Sequence, residues 1–328
     1  MTLNNKIAII GTGAFGSALA NVLLHNKINV EMYGIDLKEI QDIKQGKNSK
    51  YFENSVFNNP EYLDVEEDFE ELVKNNETFL LAVPSKFIKS TLQKMSTFLG
   101  KRKVNIINVS KGIDLESNLL FSELIERSFS NNLLNTCSLI GPSFATEIFN
   151  GQKTIVNVVS KNLEYAKNVA KMFENNYFKV LPSDKVVGAE FFSALKNVLA
   201  IGSGILHSIT EEKNTISSFL ALGISEISRM GQKLYPQNSF DINDFSLCSI
   251  GDVFLTCTSN KSRNFSFGES IYKTGLKASL SQNQKTIEGY ETALIIDKMF
   301  EFDDSYPVFA KILQILKNEA QPSEIINI

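Results

Sequence analysis

The chain has 328 residues, 43% of them hydrophobic and 21% charged, which suits a folded core and excludes a disordered or fibrous sequence. With 33 basic against 37 acidic residues and a formal net charge of -4, it has no positive excess for holding nucleic acid or an anionic membrane surface. Three widely spaced cysteines and two histidines give no zinc-ligand set, so no metal is expected, and reduced thiols in a cytoplasmic compartment fit best.

The first half alternates short apolar runs with helical patterns. Strands are predicted at Ile7–Ile10, Val30–Tyr33, Phe79–Val83, Val104–Val109, Ser138–Ile140, Ile155–Val159 and Phe178–Leu181. Between them the spacing predicts helices at Ser17–Asn26, Asp36–Gln45, Lys86–Phe98, Ser117–Phe129 and Leu163–Glu174. The Asn-rich piece Lys47–Pro60 reads as a loop, and the acidic run Asp64–Glu71 as a solvated helix face. Strands rich in Val, Ile and Leu separated by helices predict βαβ units in a mostly parallel sheet covered on both faces.

After Pro182 the pattern turns helical. Ser183 is placed to cap a long helix through Ile209, and Ile216–Leu234 predicts a second. Further helical stretches fall around Gly251–Cys257, Phe267–Leu276, Tyr290–Phe300 and Pro307–Asn318. The expectation is α/β: a Rossmann-like dinucleotide-binding domain over residues 1–182, then an all-α substrate-binding domain over residues 183–328. Phe191–Ile209 is apolar enough to be weighed as a membrane span, but its serines, Asn197, Lys196 and His207 make it too polar for an isolated helix in lipid.

Gly11-Thr-Gly13-Ala14-Phe15-Gly16 follows a predicted strand and opens a predicted helix. In that setting Gly11 permits a tight turn, Gly13 lets backbone approach a pyrophosphate, and Gly16 lets helix and strand pack closely. The helix N-terminus adds unpaired N–H groups and a positive dipole end. Asp36, 20 residues past Gly16, stands where an acid bonds an adenosine ribose 2′-hydroxyl, which favours NAD over NADP; with Glu39 it also reads as a D-x-x-E helix cap.

Lys196 is the only formal charge in the 19 residues from Phe191 to Ile209. On a helix it faces Phe192, Leu199 and Ala200, where lost hydration lowers a lysine pKa and makes it a proton donor or acceptor near neutrality; the alternative is a lysine that snorkels to water or pairs with an acid. Ser249 to Asn264 concentrates unlike polar groups. Asp252 and Thr256, four apart, share a helix face, and Arg263, one of four arginines, has the planar fork that grips a phosphate. Asn264 falls near a predicted helix start. A helix cap for Asp252 and a surface ion pair for Arg263 are the plainer alternatives.

Seven ordered motifs, GTGAFGSALA at Gly11–Ala20, AVPSK at Ala82–Lys86, SKGID at Ser110–Asp114, GPSFATE at Gly141–Glu147, ALKNVLAIGSG at Ala194–Gly204, IGDVFLTCTSNKSRNFSFG at Ile250–Gly268 and IEGY at Ile287–Tyr290, resemble the bacterial-type NAD(P)-dependent glycerol-3-phosphate dehydrogenases over nearly the whole chain. The resemblance implies interconversion of dihydroxyacetone phosphate and sn-glycerol 3-phosphate by hydride transfer, supplying phospholipid synthesis, in a cytoplasmic homodimer. By motif position it makes Lys196 the general acid/base and Lys111 a contact of both substrate and nicotinamide. It places Gly141, Ser143, Asn197, Asp252, Thr256, Ser262, Arg263 and Asn264 around the substrate. The glycine loop with Phe15, together with Asp36, Pro84, Ala145, Arg263, Thr286 and Glu288, falls around the cofactor.

Three departures stand out. Ile35 replaces a frequent Arg or His before Asp36, which again leans toward NAD. Ile216 and Leu222 stand where the family carries two arginines after the long helix, and Phe265 and Ser266 replace two more. A β-hydroxyacid dehydrogenase shares the two-domain plan but prefers an asparagine four residues after its lysine, where this chain has Ala200. A binding-only redox sensor would need the glycine loop without Lys111, Lys196, Asp252 and Arg263 together.

Overall fold

Eight strands form one sheet: β1 (Lys6–Ile10), β2 (Asn29–Tyr33), β3 (Leu63–Val65), β4 (Thr78–Leu81), β5 (Val104–Asn108), β6 (Leu133–Ile140), β7 (Thr154–Val159) and β8 (Phe178–Ser183). The computed structural model describes residues 5–245, 247–283 and 287–328. The strand order is β3-β2-β1-β4-β5-β6-β7-β8, and every neighbouring pair is parallel except β6 with β7. Because β1 leads outward to β2 and β3 while β4 begins the run in the other direction, the order reverses between β1 and β4, the place where sheets of this kind bind ligands beyond the carboxyl ends of their strands.

The central strands are near-continuous apolar runs because both faces are covered; Ile7, Ile9, Leu80 and Ile107 are all fully buried. One strand was not expected. Leu63–Val65 pairs with β2 at the sheet edge, and helix Phe69–Lys74 follows, so the Asp64–Glu71 run is not one helix face. Three residues with a central aspartate make a weak pattern, and short charged strands are how proteins blunt sheet edges. The Lys47–Pro60 segment, read as loop, contains the short helix Ser49–Phe52. At the other edge β8 runs through Pro182, which an edge strand tolerates because the missing N–H need not join a ladder.

Contacts divide the chain into two compact units, Met1–Ser110 with Phe121–Val186, and Lys111–Leu120 with Val187–Ile328. Beyond Ser183 the described residues contain helices only, notably Val186–His207, Lys213–Leu234, Asp252–Cys257, Arg263–Thr274, Glu288–Met299 and Pro307–Leu316. Thus a mostly parallel α/β sheet is followed by an all-helical part, as the sequence predicts. The helix Val186–His207 is apolar on all sides because it is a core helix: its most apolar window is 94% buried. Helix Lys213–Leu234 turns Phe219, Leu220, Ile224, Ile227 and Met230 inward. On the same stripe Glu226 is fully buried, its carboxylate accepting the Val308 and Phe309 N–H groups at 2.9 Å each. It thereby caps helix Pro307–Leu316.

Candidate active site

In the first unit the glycine loop sits at the switch point. Gly11 has φ +123°, and a Cβ there would lie 2.4 Å from the Ala82 carbonyl oxygen at the end of β4. Its N–H donates to Tyr33 O at 2.8 Å, tying the ends of β1 and β2 together. Helix Ala14–His25 starts from Gly13, which supplies no side-chain cap, and its ladder begins only with Ser17 N–H to Gly13 O at 2.9 Å. The N–H groups of Ala14, Phe15 and Gly16 therefore lie outside that ladder. Space beside Gly13 is open, with nothing within 4 Å of where a Cβ would be. A bare helix N-terminus beside an open glycine fits the pyrophosphate of a dinucleotide.

Asp36 is the N-cap of helix Leu37–Lys44, accepting from the Lys38 and Glu39 N–H groups at 3.0 and 3.3 Å. The capping box is half made, since the buried Glu39 carboxylate turns to the glycine loop and accepts from Thr12 Oγ1 at 2.6 Å. Lys50 Nζ lies 3.0 Å from Asp36 and 2.5 Å from Glu39; its hydrogen bond to Asp36, followed by the Glu39 N–H bond, holds the Asp36 carboxyl below its ordinary value. Ile35 beside it is 89% exposed. Pro84 follows β4, and Gly141 follows β6. Ser143 Oγ donates to the Gly141 carbonyl at 2.8 Å, and Ala145 opens the next helix.

The second unit gathers polar residues that the sequence scatters from Lys111 to Glu288. Lys196 on the long helix is 3% exposed, so it does not snorkel. Its Nζ donates to Thr256 Oγ1 at 2.7 Å and to Asn197 Oδ1 at 3.1 Å, and faces Asp252 Oδ1 at 3.5 Å. Thr256 Oγ1 in turn donates to Asp252 Oδ1 at 3.3 Å, as two residues four apart on a helix should. The other carboxylate oxygen, Oδ2, accepts from Lys111 Nζ at 2.8 Å. A π-helical turn, Leu247–Gly251, delivers Asp252 to this place, and such turns are frequent at functional sites. Burial lowers the Lys196 pKa, Asp252 opposes that, and Lys111 adds to it by like-charge repulsion.

Asn197 Nδ2 donates to Glu288 Oε2 at 3.3 Å, and Glu288 Oε1 lies 3.7 Å from Arg263. Arg263 begins helix Arg263–Thr274, whose N-cap Ser262 accepts the Phe265 N–H. Asn264 does more than start a helix: its Oδ1 accepts the Gly289 N–H at 2.9 Å, joining the first turns of helices Arg263–Thr274 and Glu288–Met299. Two helix N-termini and an arginine side chain that is 58% exposed together suit a phosphate. The buried thiols of Cys248 and Cys257 are pushed up to about 12 by burial and are not nucleophiles at neutral pH.

Lys111, Asp252, Thr256, Lys196, Asn197, Glu288 and Arg263 thus form one chain of contacts, while Asn264 bonds the Gly289 N–H and Ser262 serves as a cap. Thr286 lies outside the described residues. Sequence reasoning missed Glu39 and Lys50 as parts of the glycine-loop surroundings. The available signal was a lysine and a tyrosine, Lys50 and Tyr51, inside a segment read as loop.

Comparison with known proteins agrees with this geometry. The profile of the N-terminal part of NAD-dependent glycerol-3-phosphate dehydrogenase matches residues 6–166, and that of its C-terminal part matches residues 185–327. The chain is 36% identical over 326 residues to glycerol-3-phosphate dehydrogenase [NAD(P)+] of Malacoplasma penetrans, covering 98% of this chain and 95% of that one. It is 33% identical over 319 residues to the protein of the same name in Staphylococcus saprophyticus, with 95% and 93% covered. The crystal structure of glycerol-3-phosphate dehydrogenase from Coxiella burnetii superposes with a TM-score of 0.85 at 24% identity, covering 98% and 97% of the two chains, a likeness of fold.

Proposed function

The chain belongs to the NAD-dependent glycerol-3-phosphate dehydrogenase family, and from that premise we propose that it interconverts dihydroxyacetone phosphate and sn-glycerol 3-phosphate with NAD(H) or NADP(H). The hydride would be supplied or accepted by the nicotinamide ring when the cofactor is bound. The observation that carries the reading is Lys196, a buried lysine held by Thr256 and Asn197 opposite Asp252.

As an ammonium group Lys196 has three N–H bonds. Thr256 and Asn197 take two, and we assign the third to the substrate oxygen at C2, which Lys196 protonates during reduction and deprotonates in the reverse direction. The paired Asp252 keeps the buried Lys196 and the half-buried Lys111 compatible by balancing their charge. Arg263, with the joined helix starts at Asn264 and Gly289, holds the phosphate end and fixes the carbonyl at the lysine. The glycine loop would hold the pyrophosphate, and residues 1–182 are taken as the dinucleotide domain on that ground. The same reading takes the protein as a cytoplasmic homodimer that supplies phospholipid synthesis; three buried free cysteines support a reducing compartment. A binding-only sensor has no use for the Lys196 cluster.

The test is loss of absorbance at the reduced-nicotinamide band on adding dihydroxyacetone phosphate, run in parallel with NADH and NADPH. Oxidation of either supports the reading; binding of both without turnover overturns it in favour of the sensor.

A further inference from the structure

The surroundings of the glycine loop contain a charge that neither the motif nor the proposed reaction uses. Lys50, from the short helix Ser49–Phe52, places Nζ 3.0 Å from Asp36 Oδ2 and 2.5 Å from Glu39 Oε1. The two carboxylates differ in what they have left to offer. Glu39 is 6% exposed and already accepts from Thr12 Oγ1 at 2.6 Å and the Tyr51 hydroxyl at 2.9 Å, so it acts inward. Thr12 is itself pressed against the turn after β2, where a Cβ on Gly34 would lie 2.4 Å from its Oγ1. Asp36 spends Oδ1 on the Lys38 and Glu39 N–H groups. Its outward oxygen, Oδ2, is shared with Lys50, whose side chain is 53% exposed.

We propose that Lys50 sets how this site treats the 2′ position of the adenosine ribose, admitting a 2′-phosphate that Asp36 alone would repel. The proposal rests on the dinucleotide reading above. An acid after the second strand bonds a 2′-hydroxyl and rejects a 2′-phosphate by charge. Here that acid is half neutralised by an ammonium group with three N–H bonds, two of them taken by Asp36 and Glu39. The third addresses the 2′ substituent in either form. A hydroxyl can donate to Asp36 Oδ2 and accept from Lys50, whereas a phosphate takes Lys50 as its counter-charge. The lysine thereby makes the site tolerant where its aspartate would make it selective, a discrimination set by repulsion and its relief.

Calorimetric titration with ADP-ribose and 2′-phospho-ADP-ribose, probes that need no turnover, separates this role from support of the loop. Lys50→Met is expected to weaken the phosphorylated probe about tenfold more than the plain one, the size of one lost charge-assisted bond, and Lys50→Arg to keep the unmodified ratio. Equal weakening of both probes by Lys50→Met, or no weakening of either, overturns the proposal. Failure of the unmodified chain to bind either probe overturns the dinucleotide reading, and this proposal with it.

Discussion

Lys111 and Lys196 meet on opposite oxygens of one carboxylate: Lys111 reaches Asp252 Oδ2 at 2.8 Å, and Lys196 faces Oδ1 at 3.5 Å with Thr256 between. A single buried acid thus carries two cations, and removing either lysine leaves it differently balanced. Lys196→Ala is expected to lower kcat about 100- to 10,000-fold, the range for a lost general acid, while cofactor affinity stays within a factor of two or so. Steady-state kinetics beside a cofactor titration reads both, and near-normal turnover would remove Lys196 from the mechanism.

The direction of the Lys196 shift fixes the sign of a pH effect. The proposed role has the protonated lysine serve reduction, and its pKa is lowered from the ordinary 10.5. Reductive kcat should therefore fall as pH rises through that lowered value, below 10.5, and the oxidative rate should rise over the same interval. Parallel pH profiles in both directions provide the check.

Thr256→Val removes the hydroxyl that accepts from Lys196 and donates to Asp252. Loss of a bond to the charged form lowers the lysine pKa further. The reductive profile should shift to lower pH with KM little changed. A general drop in activity at every pH would mark a packing defect instead.

Gly11 and Gly13 should respond oppositely. Gly13 has an ordinary φ of -64° and open space beside it, so Gly13→Val should leave stability within about 0.5 kcal/mol while blocking the cofactor. Gly11→Ala meets both a positive φ and the Ala82 carbonyl and should destabilise by about 1–3 kcal/mol. Thermal melts with and without cofactor separate the two.

Glu226→Ala exposes the Val308 and Phe309 N–H groups at a buried helix start with no acceptor, a loss of about 2–4 kcal/mol if each unmade bond costs about 1–2. Urea unfolding monitored by far-ultraviolet circular dichroism measures it. Glu226→Gln keeps an acceptor and should lose less.

Much of this molecule was legible in its sequence, for physical reasons that differ from place to place. The buried parallel strands announce themselves because both faces are covered and the runs are unbroken, as at Val104–Asn108. Lys196 stood out because a lone charge on an all-apolar helix demands a partner. β3 did not, because three residues at a sheet edge need little apolar side chain. Nor did Glu39 and Lys50: their meaning depends on Thr12, 27 residues from Glu39, and period and spacing carry no record of such a contact. Glu226 was hidden for the opposite reason, as one carboxylate among the mixed polar residues of Lys213–Leu234, distinguished only by lying on the inward stripe.

The chain passes between its two compact units three times, since Lys111–Leu120 is counted with Val187–Ile328 while the residues on either side of it belong to the sheet. A shortened protein starting after Pro182 would therefore lack Lys111 and leave Asp252 with one ammonium group instead of two. In an insertion or gene-splitting experiment, the helical half would have to receive those ten residues from elsewhere as a separate peptide. The helical unit is in that sense discontinuous, and its smaller piece is ten residues long.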